Sequence, residues 1–166
     1  SGLVPSLTVR EDGQTYVVWD SLAIAEYLAE IAPDEQLWPE ERQTRAHARS
    51  VAAEMHSGFA ELRRQYSMEF ARHIPDQQPT EGTSAAIKRI VEIWSECRSR
   101  YRGRGDYLFG TFGIADCFYA PVVSRFRTYD VTLSGDTARY AETMWAHPLM
   151  QEWLKGAEAE IAQGLA

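Results

Sequence analysis

The stretch Trp19-Asp20-Ser21 carries residue types that suit the binding of an α-amino acid. A helical spacing of apolar residues begins directly after it, so Asp20 or Ser21 should stand at a helix N-terminus. The free N–H groups and positive dipole end of a helix attract a carboxylate, and a serine hydroxyl adds a donor. The neighbouring aspartate can accept from an ammonium group. These groups together suit a zwitterion, and the same residues also fit a plain helix cap.

A second candidate is Val4-Pro5, which stands at the entrance of a predicted strand. Proline cannot donate to a β-ladder, and a trans bond at a strand entrance is the common case. A cis bond would turn the Val4 backbone outward and leave its N–H and C=O free. An extended peptide ligand could then pair with them as an added strand.

The elements that position these residues are a hairpin and a helix. Residues 7–19 hold strand-forming side chains on both sides of the turn segment Glu11-Asp12-Gly13-Gln14. From Asp20 to about Ala32 the apolar spacing becomes helical. A two-stranded hairpin is marginal alone, and a unit below about 40 residues rarely builds its own core. We therefore expect further β structure to pair with the hairpin.

Residues 32–39 form a predicted linker with two prolines and acidic residues, and its Leu37-Trp38 pair could pack on the next domain. After the linker the spacing is helical throughout. The predicted helices cover roughly residues 40–72, 84–101, 114–126, 135–146 and 148–162. We expect a mostly α protein with a partial α/β unit. The predicted domains are residues 1–36 and the all-helical residues 37–166.

The segment Gly113-Ile114-Ala115-Asp116 predicts a structural device. Asp116 lies three residues beyond the cap position Gly113, where its carboxylate can reach back to free N–H groups. Pro121 lies about two turns further on and should kink the helix. This segment should stabilise the fold rather than react.

Composition narrows the class of protein. The net charge of −7 argues against general nucleic-acid binding, and no apolar run approaches the ~18 residues of a membrane span. The two cysteines, Cys97 and Cys117, have no zinc-site spacing, so we expect no metal. We expect both thiols to be reduced and packed in the core of a cytoplasmic protein.

The motifs together resemble the glutathione transferase family. Residues 2–7 (GLVPSL) are similar to its cis-proline strand, and residues 17–28 (VVWDSLAIAEYL) to its second hairpin strand, acid–serine pair and helix. Residues 37–39 (LWP) resemble its interdomain linker, and residues 109–116 (FGTFGIAD) its capping motif. The order and spacing of these pieces match along nearly the whole chain.

The resemblance implies the C-terminal part of a thioredoxin-like domain followed by an all-helical domain. It implies that Val4 pairs its backbone with the cysteinyl part of glutathione and that Pro5 is cis. Asp20 and Ser21 would hold the γ-glutamyl end. Glutathione would be a substrate, and a homodimer is expected.

A hydrophobic electrophile would lie against the long helix and the kinked one. The candidate lining residues are Met55, Phe59, Phe118 and Val122, whose spacing also fits a plain core. His56 on the long helix is expected to have a structural or dimer-contact role.

The sequence departs from the family pattern in two places. Gly113 stands at the cap where the family usually has Ser or Thr, and glycine is an acceptable cap. No residue matches the family's first strand–helix–strand unit, where the Tyr, Ser or Cys that activates the thiol lies. We expect the catalytic residue in such a unit ahead of residue 1.

Three hypotheses about function follow. The first is an enzyme that transfers the glutathione thiol to an electrophile. The second is a non-catalytic scaffold or partner-binding module with the same fold. The third is a natural truncation, which the exposed hairpin edge disfavours because such edges promote aggregation.

Overall fold

The hairpin forms as the turn chemistry predicts. The structure, a computed structural model, describes residue 2 and residues 4–165. Strands β1 (Ser6–Glu11) and β2 (Gln14–Trp19) pair antiparallel, with Leu7 opposite Val18. Asp12 and Gly13 connect them with φ angles of 48° and 75°. Positive φ at both central residues matches the right-handed twist of the flanking strands, which is why Asp-Gly is favoured there.

Helix α1 (Ser21–Ile31) follows β2 and packs on the hairpin. Its small residues Ala25 and Ala29 face the helical core, whereas Ile31 is exposed. The helix ends at Ile31, close to the predicted end at Ala32, and a short 3-10 turn at Pro33–Glu35 follows in the linker. Proline cannot continue an α-helix, which explains the end of α1 at this point.

The predicted long helix of residues 40–72 is wrong in its extent. The structure has α2 (Arg42–Ser57) and α3 (Ala60–Gln65), separated at Gly58 and Phe59. Phe59 has a left-handed φ of 61°, and a Cβ on Gly58 would lie 2.7 Å from the Glu54 carbonyl oxygen. Arg63 donates to the Met55 and Gly58 carbonyls that the break leaves without helical partners.

The remaining helices follow the predicted order: α4 (Glu81–Arg100), α5 (Ile114–Thr128), α6 (Gly135–Ala146) and α7 (Pro148–Ala162). Helix α4 begins three residues earlier than predicted, because the Thr80 hydroxyl accepts from the Thr83 N–H and caps it. Helix α5 continues past Pro121 to Thr128. No helix in the described part of the chain has the length and apolar character needed to cross a bilayer.

The core lies among the helices, where α2 packs on α5, and α4 packs on α3 and α6. Trp94 of α4 is fully buried, and its ring contacts Tyr119, Phe126 and Tyr140. Such edge and tilted aromatic contacts stabilise a core beyond the area they bury. The fold is mostly helical with a small two-stranded sheet, as predicted.

The two cysteines differ in environment. Cys97 is buried in the core, but Cys117 is exposed, so the expectation that both are core residues is wrong for Cys117. Both thiols are free. Helix α5 turns Cys117 outward because its neighbours Ala115, Asp116 and Tyr119 occupy the buried face.

Candidate functional site

Asp20 is the N-cap of α1. Its Oδ1 accepts from the Leu22 N–H at 2.9 Å and from the Ala23 N–H at 3.3 Å. These bonds, that from Ala23 first, hold the pKa of the Asp20 carboxyl below its usual value. Hydrogen bonds to the charged form favour ionisation, so the site presents a carboxylate at neutral pH. Neither of these two bonds uses its second oxygen, Oδ2.

The backbone of Asp20 is held in a sparsely populated conformation, with φ 77° and ψ 131°. A residue other than glycine rarely adopts this combination of φ and ψ. Such residues cluster at functional sites, where the surrounding structure fixes them. The conformation at Asp20 therefore supports a binding role beyond capping.

His56 contacts both members of the acid–serine pair. Its Nε2 lies 3.0 Å from Asp20 Oδ2, and its Nδ1 lies 3.4 Å from Ser21 Oγ. The edge of the ring meets Phe118 of α5, with centroids 5.8 Å apart. The last turn of α2 thus reaches the first turn of α1. Sequence reasoning gave His56 only a structural or dimer role, because its partners lie about 35 positions away.

Val4-Pro5 and Asp20-Ser21 lie at the same end of the hairpin. The register pairs Ser6 with Trp19, so the residues that precede β1 and those that follow β2 are neighbours. The Val4–Pro5 bond is cis, as the resemblance implies, and Val4 is 92% exposed. The structure therefore brings together the two segments that the resemblance assigns to one ligand.

Two of the four predicted lining residues belong to the core instead. Met55 is 3% exposed and Val122 is fully buried, and both pack within the main cluster. This part of the pocket prediction is corrected, because both side chains are buried in the core cluster, where α2 packs on α5. Phe59 and Phe118 are partly exposed and remain candidates.

Asp116 makes the contacts expected of a capping residue. It is 1% exposed, and its carboxylate accepts from the Gly113 N–H at 3.0 Å and the Leu108 N–H at 3.1 Å. Burial nevertheless raises the pKa of this carboxyl to about 6. Both oxygens are committed to backbone donors, which is a structural arrangement.

The glycine at this cap has a steric cause. The Leu37 carbonyl accepts from the Ile114 N–H at 3.0 Å, and a Cβ on Gly113 would lie 2.9 Å from that carbonyl oxygen. The linker therefore docks where a Ser or Thr side chain would begin.

No other reactive centre stands out in the described residues. Within them, no group of three or more His, Cys, Asp or Glu side chains could hold a metal ion. Burial raises the pKa of Cys97 to about 12, so its thiol stays protonated at neutral pH.

Comparison with known proteins identifies the family of this chain. The family model described as "Glutathione S-transferase, C-terminal domain" matches residues 45–157, more than half of the chain. The chain belongs to the glutathione S-transferase family. No curated protein sequence matches it.

Solved structures give the same fold. A glutathione transferase homolog from Burkholderia gl BGR1, with bound glutathione, is 26% identical to this chain and has a TM-score of 0.61. The match covers 92% of this chain and 72% of that protein's chain. A maleylacetoacetate isomerase from Anaeromyxobacter dehalogenans 2CP-1 is 26% identical to this chain and has a TM-score of 0.66. The match covers 91% of this chain and 69% of the isomerase chain. A Legionella pneumophila glutathione S-transferase is 23% identical to this chain and has a TM-score of 0.65, with 90% of this chain and 80% of that chain covered. At this identity the match supports the fold alone.

Proposed function

We propose that this protein is a glutathione transferase, which transfers the thiol of glutathione to a hydrophobic electrophile. The observation that carries the proposal is the register of the hairpin, which places Val4-Pro5 beside Asp20-Ser21. Membership in the family supports the choice of ligand. The proposal includes a homodimer that acts in the cytoplasm.

The γ-glutamyl end of glutathione fits the start of α1. Its ammonium group would donate to Asp20 Oδ2, which has lone pairs to spare beside its 3.0 Å contact with His56 Nε2. Its α-carboxylate would accept from the Ser21 hydroxyl and from the Ser21 N–H, which has no partner inside a helix. The Leu22 and Ala23 N–H groups are already used by Asp20, so Ser21 supplies the donors.

The cysteinyl part of the ligand would pair with the Val4 backbone as an added strand. This mode of binding depends on main-chain hydrogen bonds, so it fixes the thiol without selecting a side chain. The electrophile would contact Phe118 and Phe59, the partly exposed members of the predicted pocket. Aromatic side chains of this kind line apolar ligand sites.

The reaction needs a thiolate. Its sulfur attacks an electrophilic carbon, an S–C bond forms, the leaving group departs with the electron pair, and the thiol proton passes to solvent. We place the residue that lowers the thiol pKa in the strand–helix–strand unit that the resemblance puts ahead of β1. The residues described here bind and orient glutathione.

A second reaction would use the same glutathione site. The similarity to a maleylacetoacetate isomerase at 26% identity supports glutathione addition to a double bond followed by elimination. Both reactions begin with the same bound thiolate, so glutathione binding is the step they share.

The experiment measures binding and turnover by the full-length protein. Retention on glutathione-agarose and conjugation of an activated aryl chloride, followed by absorbance, would support the transferase. Retention with isomerisation of maleylacetoacetate but no conjugation would favour the isomerase. Retention with neither activity would favour the scaffold hypothesis, and the absence of retention would contradict the assigned site.

A further inference from the structure

His56 is the residue whose ring bridges the two ligand-binding groups of the proposed site. Its Nε2 meets Asp20 Oδ2 at 3.0 Å and its Nδ1 meets Ser21 Oγ at 3.4 Å. The Asp20 side chain that faces Nε2 is a carboxylate, and a carboxylate can accept a hydrogen bond but cannot donate one. The Nε2 atom must therefore carry a hydrogen in both protonation states of the ring.

The protonation state then decides the direction of the second contact. In the neutral ring with a hydrogen on Nε2, the bare Nδ1 accepts, so the Ser21 hydroxyl must donate to it. In the protonated ring Nδ1–H donates, and Ser21 Oγ accepts. The hydroxyl hydrogen of Ser21 is available to a ligand only in the second case.

We propose that His56 is a positioning residue that sets the direction of the Ser21 hydroxyl, so that the protonated ring frees this hydroxyl to donate to the α-carboxylate of the bound γ-glutamyl group. This inference rests on the proposed glutathione site. It adds a residue from the helical domain to a site that the sequence motifs place entirely in residues 4–21.

The charges around the ring come from three sources. Asp20 lies across from it at the start of α1, and the C-terminal end of α2, with its negative dipole, lies on its own side. Arg63 of α3 brings a positive charge to that helix end, where it donates to the Met55 and Gly58 carbonyls. Helix α5 presents the uncharged ring of Phe118.

The consequence is a linkage between ligand binding and proton uptake. If the bound state requires the protonated ring, the affinity for the ligand must rise as pH falls. Freeing one hydroxyl to hydrogen-bond a charged group corresponds to a gain in affinity of about tenfold or more. Ligand binding should also be accompanied by the net uptake of a fraction of a proton by the protein.

The test uses S-methylglutathione, because its sulfur does not titrate. Isothermal titration calorimetry on the full-length protein at pH 6 and pH 8 should give a dissociation constant about ten times lower at pH 6. His56→Gln should abolish this difference. His73→Gln is the matched control, since His73 pairs with Asp130 away from the site, and it should keep the wild-type difference.

A second measurement uses only the wild-type protein, in case His56→Gln fails to fold. The binding enthalpy in buffers of different ionisation enthalpy at pH 7 should show net proton uptake. Proton release, no proton exchange, or the same pH dependence in wild type and His56→Gln would overturn the role of His56 while leaving the glutathione site intact. No binding of S-methylglutathione at either pH would contradict the proposed function itself, and the inference with it.

Discussion

Nε2 of His56 lies 3.0 Å from Oδ2 of Asp20, so the last turn of α2 is tied to the first turn of α1. The two residues lie in different predicted domains. The contact therefore couples the helical domain to the end of α1 that is proposed to bind glutathione. A change at either residue should alter ligand binding more than it alters folding.

The first prediction concerns the charge of Asp20. In Asp20→Asn the side-chain oxygen can still accept from the Leu22 and Ala23 N–H groups, since Asn caps helices as well as Asp does. The variant loses the negative charge proposed to hold the ligand ammonium. We expect glutathione affinity to fall at least tenfold by calorimetry, with little change in the urea midpoint.

Asp20→Ala is the companion variant, because it loses the cap as well as the charge. It should lower both glutathione affinity and the urea midpoint. Wild-type affinity in Asp20→Asn would show that the carboxylate does not hold the ammonium group.

The second prediction concerns the docking of the linker on α5. Gly113→Ser would place a Cβ 2.9 Å from the Leu37 carbonyl oxygen, so the linker or the cap must shift. We expect a loss of about 1–3 kcal/mol in the free energy of unfolding, the usual cost of overpacking. Urea denaturation measures it.

The control is Gly156→Ala on α7, where a Cβ meets no atom within 4 Å. An alanine in an exposed helix should leave stability unchanged or raise it by up to about 1 kcal/mol. Equal stability of Gly113→Ser and the wild type would mean that the linker does not dock as described.

The third prediction concerns the pH dependence that Asp116 adds to stability. Burial raises the pKa of Asp116 to about 6 in the folded protein, above its value in the unfolded chain. A raised pKa stabilises the fold at low pH, and this contribution is lost as pH rises from about 4 to about 6. A shift of about two units corresponds to roughly 3 kcal/mol.

Asp116→Asn isolates this contribution, since other groups titrate alike in both proteins. The free energy of unfolding of the wild type minus that of the variant should fall between pH 4 and pH 7. Urea denaturation across this range gives the difference. A difference that stays constant or grows with pH would show that the carboxyl has no raised pKa.

Much of the fold follows from local sequence patterns. The Asp12-Gly13 turn, the cap at Asp20 and the boundaries of α6 and α7 depend on neighbouring residues, and they were predictable. The break at Gly58 was not, because a single glycine is tolerated in a helix. The break instead depends on the left-handed Phe59 and on the bonds that Arg63 makes to the freed carbonyls.

The site was predictable only in part for the same reason. Asp20 and Ser21 are adjacent, so their spacing indicates a cap and a ligand site together. His56 joins them through tertiary packing, and no local pattern indicates a contact across 35 positions. The partition of Met55 and Val122 into the core likewise depends on how α2 packs on α5, which periodicity alone does not determine.

The central claim is that Ser21 at the start of α1 binds glutathione. The most direct measurement is the dissociation constant of glutathione for the full-length wild type and for Ser21→Ala, by calorimetry at pH 6.5. Ser50→Ala is the matched control, because the Ser50 hydroxyl donates to the Ala46 carbonyl within α2. We predict at least tenfold weaker binding for Ser21→Ala, as expected for a lost hydrogen bond to a charged group, and wild-type binding for Ser50→Ala. Equal affinity of Ser21→Ala and the wild type would contradict the claim.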